Sequence, residues 1–121
     1  MKLLDSNIII YSSQDKYDFL KTLVFDRNNA ISAITKIEVL GFPNLSTRDI
    51  TYFEHVLDRL NVHPVNSVII DKAVELKQEK KMGVQDAIIA ATAWLYDIEL
   101  ITRNSDDFKH INGITISNPV D

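Results

Sequence analysis

Acidic side chains in this chain stand where apolar runs give way to turns or helix starts. Asp5 follows Leu3-Leu4, and Glu38 lies among Ile34, Ile37, Val39 and Leu40. Asp86 precedes Ala87-Ile88-Ile89-Ala90, and Asp106-Asp107 follow the apolar pair Leu100-Ile101. Carboxylates are costly to bury unless they are paired or bound to a metal, and most of these have no arginine or lysine beside them. A set of oxygen ligands without histidine or thiolate partners favours Mg²⁺, with Mn²⁺ as a substitute, over zinc. Such a cation lowers the pKa of a water, aligns it with a phosphorus and offsets charge on the leaving oxygen. No side-chain nucleophile is then required. Phosphodiester hydrolysis is the reaction this donor set suits best.

Each acid taken singly has a plainer role. Asp5 is placed to cap a helix, and Asp86 sits in a first turn that the helix dipole favours. Asp106 and Asp107 alone suit a solvated turn. Glu38 is harder to explain away, because the helix around it is apolar. The joint pattern outweighs the separate readings. The histidines do not form such a pattern: His55, His63 and His110 lack metal-ligand spacing and are expected to be structural or solvated. Trp94 and the phenylalanines are expected in the core, given their helical register. Lys77, Lys80 and Lys81 suit a solvated helix end, where cations are favourable. No glycine-rich phosphate loop is present.

The chain has 121 residues, enough for one domain with a sizeable core, and a formal net charge of −4. That charge gives no global basic field, which counts mildly against nucleic-acid binding by electrostatics alone. It does not count against a nuclease whose acids are covered by cations. The absence of cysteine removes disulfides, thiolate zinc sites and cysteine nucleophiles together. No segment approaches the ~20 apolar residues of a membrane helix, and Asp5 and Asn7 interrupt any signal-peptide pattern. A cytoplasmic protein with no membrane role is the expectation, as a single domain over 1–121.

The elements that must position the acids are short. Lys2–Leu4 is predicted as a strand, followed by a helix through Ile8 to Ser12 capped by Asp5 or Ser6. Tyr17, Leu20, Leu23 and Val24 recur at helical spacing. Ala30-Ile31-Ser32 is a second strand, and a helix from Ile34 to Leu40 stops at Gly41 and Pro43. Ser46 or Thr47 opens a helix burying Ile50, Phe53, Val56, Leu57 and Leu60. Val62-His63-Pro64-Val65 is strand-like, and Asn66 or Ser67 caps a helix from Val68 to Lys80. Gly83 breaks it, and a small-residue helix runs from Val84 to about Tyr96. Glu99–Thr102 and Ile114–Ile116 complete the strands, with Asp106–Phe108 as a turn. Short strands alternating with helices predict an α/β/α sandwich with a mainly parallel sheet. One rim of that sheet would then collect the acids, since ligands gather beyond the carboxyl ends of parallel strands.

At this point the chain resembles the PIN-domain ribonucleases, specifically the VapC-type toxins of bacterial toxin–antitoxin pairs. Leu3-Leu4-Asp5-Ser6-Asn7 resembles the family's opening strand and Asp-Thr/Ser-Asn signature, and Ser32–Gly41 its glutamate segment. Gln85–Ala93 resembles the stretch in which an aspartate opens a small-residue helix. Thr102–Phe108 resembles the Thr-x-Asn-x-x-Asp-Phe tail, and Ile114 to Pro119 the closing strand. The resemblance implies a PIN-like fold and a Mg²⁺-dependent endoribonuclease with Asp5, Glu38 and Asp86 as its acidic core. Asp5 and Asp86 would be direct metal ligands, and Glu38 would hold or activate a water on the metal. Asp107, immediately before Phe108, matches the position of the fourth acid, with Asp106 adjacent. Asn7, Ser32, Thr102 and Asn104 would orient carboxylates and water, and Arg103 is a candidate contact to RNA. The family further implies a homodimer, a structured RNA substrate such as tRNA or rRNA, and a VapB-like antitoxin that blocks the acidic groove. The alternatives are a PIN-like binding module without catalysis and another metal-dependent phosphoryl hydrolase. A phosphatase of the haloacid-dehalogenase type would need a second aspartate where this chain has Asn7.

Overall fold

In the computed structural model, which describes residues 1–120, five very short strands carry the centre of the molecule. They are β1 (Lys2–Leu4), β2 (Ala30–Ser32), β3 (Asn61–His63), β4 (Glu99–Ile101) and β5 (Ile116–Ser117). All pair in parallel, in the order β3-β2-β1-β4-β5. Alternate residues of a strand face opposite sides of the sheet, and here both sides are covered. Leu3, Ala30 and Leu100 belong to one apolar cluster, and Leu4, Ile31 and Ile101 belong to the other. This accounts for the near-continuous apolar strands, as expected for a parallel sheet buried on both faces.

The first cluster is completed by α5 (Ser67–Glu79) and α6 (Val84–Tyr96). Ala87, Ala90, Ala91 and Ala93 of α6 are buried, and such small side chains let the helix lie close against the sheet and α5. The second cluster is completed by α1 (Ser6–Ser12), α2 (Lys21–Val24), α3 (Ala33–Leu40) and α4 (Thr47–Leu57). Side-chain oxygens cap four of these helices: Asp5 for α1, Ser32 for α3, Ser46 for α4 and Asn66 for α5. The result is the α/β/α sandwich that the alternation of strands and helices predicts. No helix among the described residues is long and apolar enough to cross a membrane.

Several local expectations are corrected. The helix expected from Tyr17 to Val24 is a 3₁₀ turn (Asp15–Leu20) followed by the single turn of α2. The backbone leaves the helical region at Tyr17 (φ −112°, ψ 28°), whose ring packs edge-on against Tyr11 at 5.0 Å. Strand β3 starts at Asn61 and stops before Pro64, which has no N–H to give to a ladder. Strand β5 lies about two residues beyond its expected start. Ile37, Ile50, Ile70, Val74, Phe19 and Phe42 face outward, and Trp94 is 40% exposed with the Lys72 ammonium 3.7 Å above its ring. Ile50, Trp94, Phe19 and Phe42 are expected inside from the sequence, and the structure leaves them uncovered because no neighbouring element packs over them fully. Phe53 and Phe108 are core residues.

Candidate active site

The chain enters the sheet at its centre, builds outward through β2 and β3, then returns to β4 and β5 on the opposite side. Strands β1 and β4 are therefore neighbours at the point where the order reverses, and a crevice opens beyond their carboxyl ends. Asp5 immediately follows β1 and Thr102 immediately follows β4. Asp5 is only 5% exposed. Its amide donates to Ile101 O at 2.9 Å, extending the ladder by one residue. Its Oδ1 accepts from the Ser6 amide at 2.8 Å, and its Oδ2 accepts from the Thr102 hydroxyl at 2.8 Å.

Thr102 Oγ1 accepts in turn from the Asn104 amide at 3.1 Å and from Asn7 Nδ2 at 3.4 Å. Asn7 Nδ2 also reaches Asp5 Oδ2 at 3.4 Å, and Asn7 Oδ1 accepts from the Arg103 amide at 3.2 Å. Asn7, Thr102 and Asn104 thus tie the ends of β1 and β4 together around one carboxylate. Ser32 is used differently. Its buried hydroxyl accepts from the Ile34 amide at 3.3 Å, so it sets the start of α3 and places Glu38 through that helix rather than by touching an acid.

Glu38, on α3, and Asp86, in the first turn of α6, meet Asp5 on a cavity of ≈ 430 Å³ that Asn104 also lines. Burial pushes the Glu38 carboxyl up to about 7, with Asp5 and Asp86 adding to the rise and a hydrogen bond from Ser6 opposing it. Burial also raises Asp86, helped by the charges of Asp5 and Asp107. Asp5 is raised by burial against the hydrogen bonds from Thr102 and Ser6, with Asp107 pushing the same way as burial. Asp5 and Asp86 therefore feel each other and both Glu38 and Asp107, although the four come from separate segments.

The adjacent acids Asp106 and Asp107 have different surroundings. Asp106 is largely exposed and pairs with Lys109, whereas Asp107 is the one whose charge reaches Asp5 and Asp86. Arg103 is held at the edge of the site by stacking over Tyr11, with its guanidinium 4.4 Å from the ring centre.

Four lining residues, Ser6, Ile10, Phe42 and Gln85, were not identified as site residues from the sequence. Ser6 supports Glu38, Phe42 turns half-exposed onto the cavity, and Ile10 lines it as well. The position of Ser6 between Asp5 and Asn7 was the available signal. Phe42, which follows Gly41 at the end of α3, carried none.

The donor set can be tested for a hard cation. Glu38 Oε1 is buried and has no hydrogen-bond partner, which is costly unless something electropositive faces it. Among the described residues no three acidic or histidine side chains stand close enough to clasp an ion between them. The arrangement fits a small cation held by one or two carboxylates that keeps several of its waters, as Mg²⁺ does.

One structural prediction follows from Thr102. Its hydroxyl donates to a buried charged acceptor, a bond worth about 1.5–3 kcal/mol. Thr102→Val is expected to lose stability of that order near pH 8, and less near pH 5, where Asp5 takes up a proton more readily. Urea denaturation at the two pH values measures it. An equal loss at both would mean that the bond does not serve the charged form.

A model of the PIN domain family matches residues 2–114. No curated protein sequence matches the chain. Among solved structures, a toxin–antitoxin complex from Klebsiella pneumoniae contains a chain 33% identical, with a TM-score of 0.79. That match covers 100% of this chain and 99% of the other. The VapBC-1 structure from nontypeable Haemophilus influenzae matches at 27% identity and a TM-score of 0.74, covering 97% and 96% of the two chains. VapBC2 from Rickettsia felis, solved bound to a DNA fragment from its promoter, has the same fold. It matches at 24% identity and a TM-score of 0.79, over 97% of each chain.

Proposed function

This chain belongs to the PIN domain family, with the architecture of a VapC-type toxin, and we propose that it is a Mg²⁺-dependent endoribonuclease restrained by a cognate antitoxin. The observation that carries the proposal is the convergence of Asp5, Glu38 and Asp86 on one cavity, with their proton affinities raised by shared burial and mutual repulsion. Structural ion-pair networks usually bring cations of their own, and no lysine or arginine pairs with these three carboxylates among the described residues.

Asp5 and Asp86 would hold the cation, which supplies the Lewis acidity that ionises a water and offsets charge on the departing oxygen. Glu38 would take the proton from the attacking water at Oε1, the atom with no partner of its own. A carboxyl near 7 is well matched to accepting and passing on a proton at neutral pH. Asp107 lines the adjoining cavity with Asp86, adds negative charge felt by Asp5 and Asp86, and would steady the cation through its waters. Thr102, Asn7 and the Asn104 amide fix the Asp5 carboxylate so that it need not reorganise. Arg103, braced on Tyr11, would meet the RNA backbone.

The open, acidic cavity also suits a basic blocking segment, which is the chemistry an antitoxin would bring. The neighbours from Klebsiella pneumoniae and Haemophilus influenzae are toxin–antitoxin complexes, and by analogy a VapB-like partner and a homodimeric toxin belong to the proposal.

The test is incubation of total cellular RNA with the purified protein, with Mg²⁺ or Mn²⁺ and with chelator. Discrete fragments are expected only when the cation is present. RNA left intact in every lane, with hydrolysis of small phosphate esters instead, would replace the reading with a phosphatase.

A further inference from the structure

Lys77, Lys80 and Lys81 stand close together in the sequence at the end of α5, and the structure divides them. Lys77 donates to Met82 O at 2.6 Å, pinning the loop between α5 and α6. Lys80 and Lys81 are exposed and form no ion pair among the described residues. They line a cavity of ≈ 240 Å³ together with Met82, Gly83, Asp86, Asp106, Asp107 and His110. This cavity shares Asp86 with the acidic cavity described above, so the two lie side by side. It also shares Asp107 with the surface depression that Arg103 lines.

Unpaired ammonium groups beside an acidic centre have a physical consequence. Two lysines left without carboxylate partners, although Asp106 is near, keep their charge for something outside the chain. Asp106 is already paired with Lys109. His110 Nε2 is buried without a hydrogen-bond partner. Gly83 precedes helix α6 and, having no side chain, caps none of its first amides, which leaves donors at the same place. The two ammonium groups and the free amides attract an oxyanion, and of the three carboxylates on the same wall Asp106 is paired with Lys109 while Asp86 and Asp107 belong to the acids a cation would cover.

We propose that the Lys80–Lys81 pocket binds a phosphodiester of the RNA strand next to the one that is cut. The strand would run from Arg103 across the acidic cavity to the two lysines, so that cationic groups take the phosphates on either side of the acids. This inference rests on the nuclease reading and adds to it a substrate track specific to this chain's residues. It also explains how a protein of net charge −4 can hold a polyanion: the contacts are local and adjoin the site, not spread over the surface.

The test is fluorescence anisotropy of a labelled single-stranded oligoribonucleotide at several salt concentrations, with Glu38→Gln as the background to suppress cleavage. Adding Lys80→Ala and Lys81→Ala is expected to weaken binding on the order of tenfold at about 0.1 M salt, and to flatten the log–log salt slope by about 1.4. Lys80→Arg with Lys81→Arg is expected to restore both. Otherwise wild-type protein carrying the alanine pair is expected to show a raised KM for RNA with kcat nearly kept. An unchanged affinity and slope overturns the inference, and so does an arginine pair as weak as the alanine pair, since the role would then be structural. Wild-type protein that cuts no RNA with either cation overturns the nuclease reading itself. Normal cutting with an unmoved KM overturns only the pocket.

Discussion

Asp86→Asn is expected to fold normally and to lose RNA cleavage by on the order of a thousandfold. Asp86 makes no hydrogen bond to the protein among those described, and it stands half-buried in the first turn of α6. Exchanging it for the isosteric amide removes only a favourable interaction with the helix dipole, about 0.3–1 kcal/mol. It also removes repulsion from Asp5 and Asp107, so the two changes offset. Function is another matter. A carboxylate–cation contact contributes several kcal/mol to stabilising charge in the transition state, and ~4 kcal/mol corresponds to about three powers of ten in rate. Asp5 is a poorer target for this purpose, because it caps α1 and anchors Thr102. A well-folded Asp86→Asn protein that still cut RNA at more than a tenth of the wild-type rate would remove Asp86 from the proposed site.

The second large effect concerns stability and pH. Asp5, Glu38 and Asp86 all bind their protons more tightly in the folded protein than in an unfolded chain. A carboxyl with a raised folded pKa contributes most favourably below its unfolded pKa, and that contribution is lost as pH rises through the folded value. For Glu38 the window runs from 4.5 to about 7. Without divalent cations the melting temperature is therefore expected to fall across this window. Mg²⁺ should reverse the trend, because it binds the ionised carboxylates and competes with protons. Cation at about a hundred times its Kd adds about 2.7 kcal/mol to stability, roughly 10 °C for a chain of this size. The gain should be large near pH 8 and small near pH 5. Thermal unfolding with millimolar Mg²⁺ or Mn²⁺ at both pH values measures it, and Asp86→Asn should blunt the response. A melting temperature indifferent to both cations at pH 8 would mean that the acids do not form a cation site.

Much of this molecule was legible in the chain because it depends on neighbours in sequence. The caps Asp5, Ser32, Ser46 and Asn66 act on amides one to three residues away. The short apolar runs at Leu3-Leu4, Ala30-Ile31 and Leu100-Ile101 can be satisfied only by strands covered on both faces. The acids could be listed, and the predicted parallel sheet supplied the expectation that one rim collects them, to which the resemblance to PIN domains added their roles.

Other features were settled by contacts between distant segments. Periodicity records that a helix has an apolar side but not how far a neighbour covers it, so Ile50 and Trp94 emerge at the surface. Asp106 and Asp107 are adjacent in sequence, and only the resemblance, through Phe108, favours Asp107 there. The 3₁₀ turn at Ser105–Asp107 gives one to Lys109 and sets the other toward Asp5 and Asp86. Likewise only the loop between α5 and α6 separates Lys77, tied to Met82 O, from Lys80 and Lys81 on the pocket. Residue types set which side chains could be buried, capped or charged. The order of the parallel strands decided which of them share a cavity, because a sheet that reverses at β1 and β4 brings residues almost a hundred positions apart within hydrogen-bonding reach.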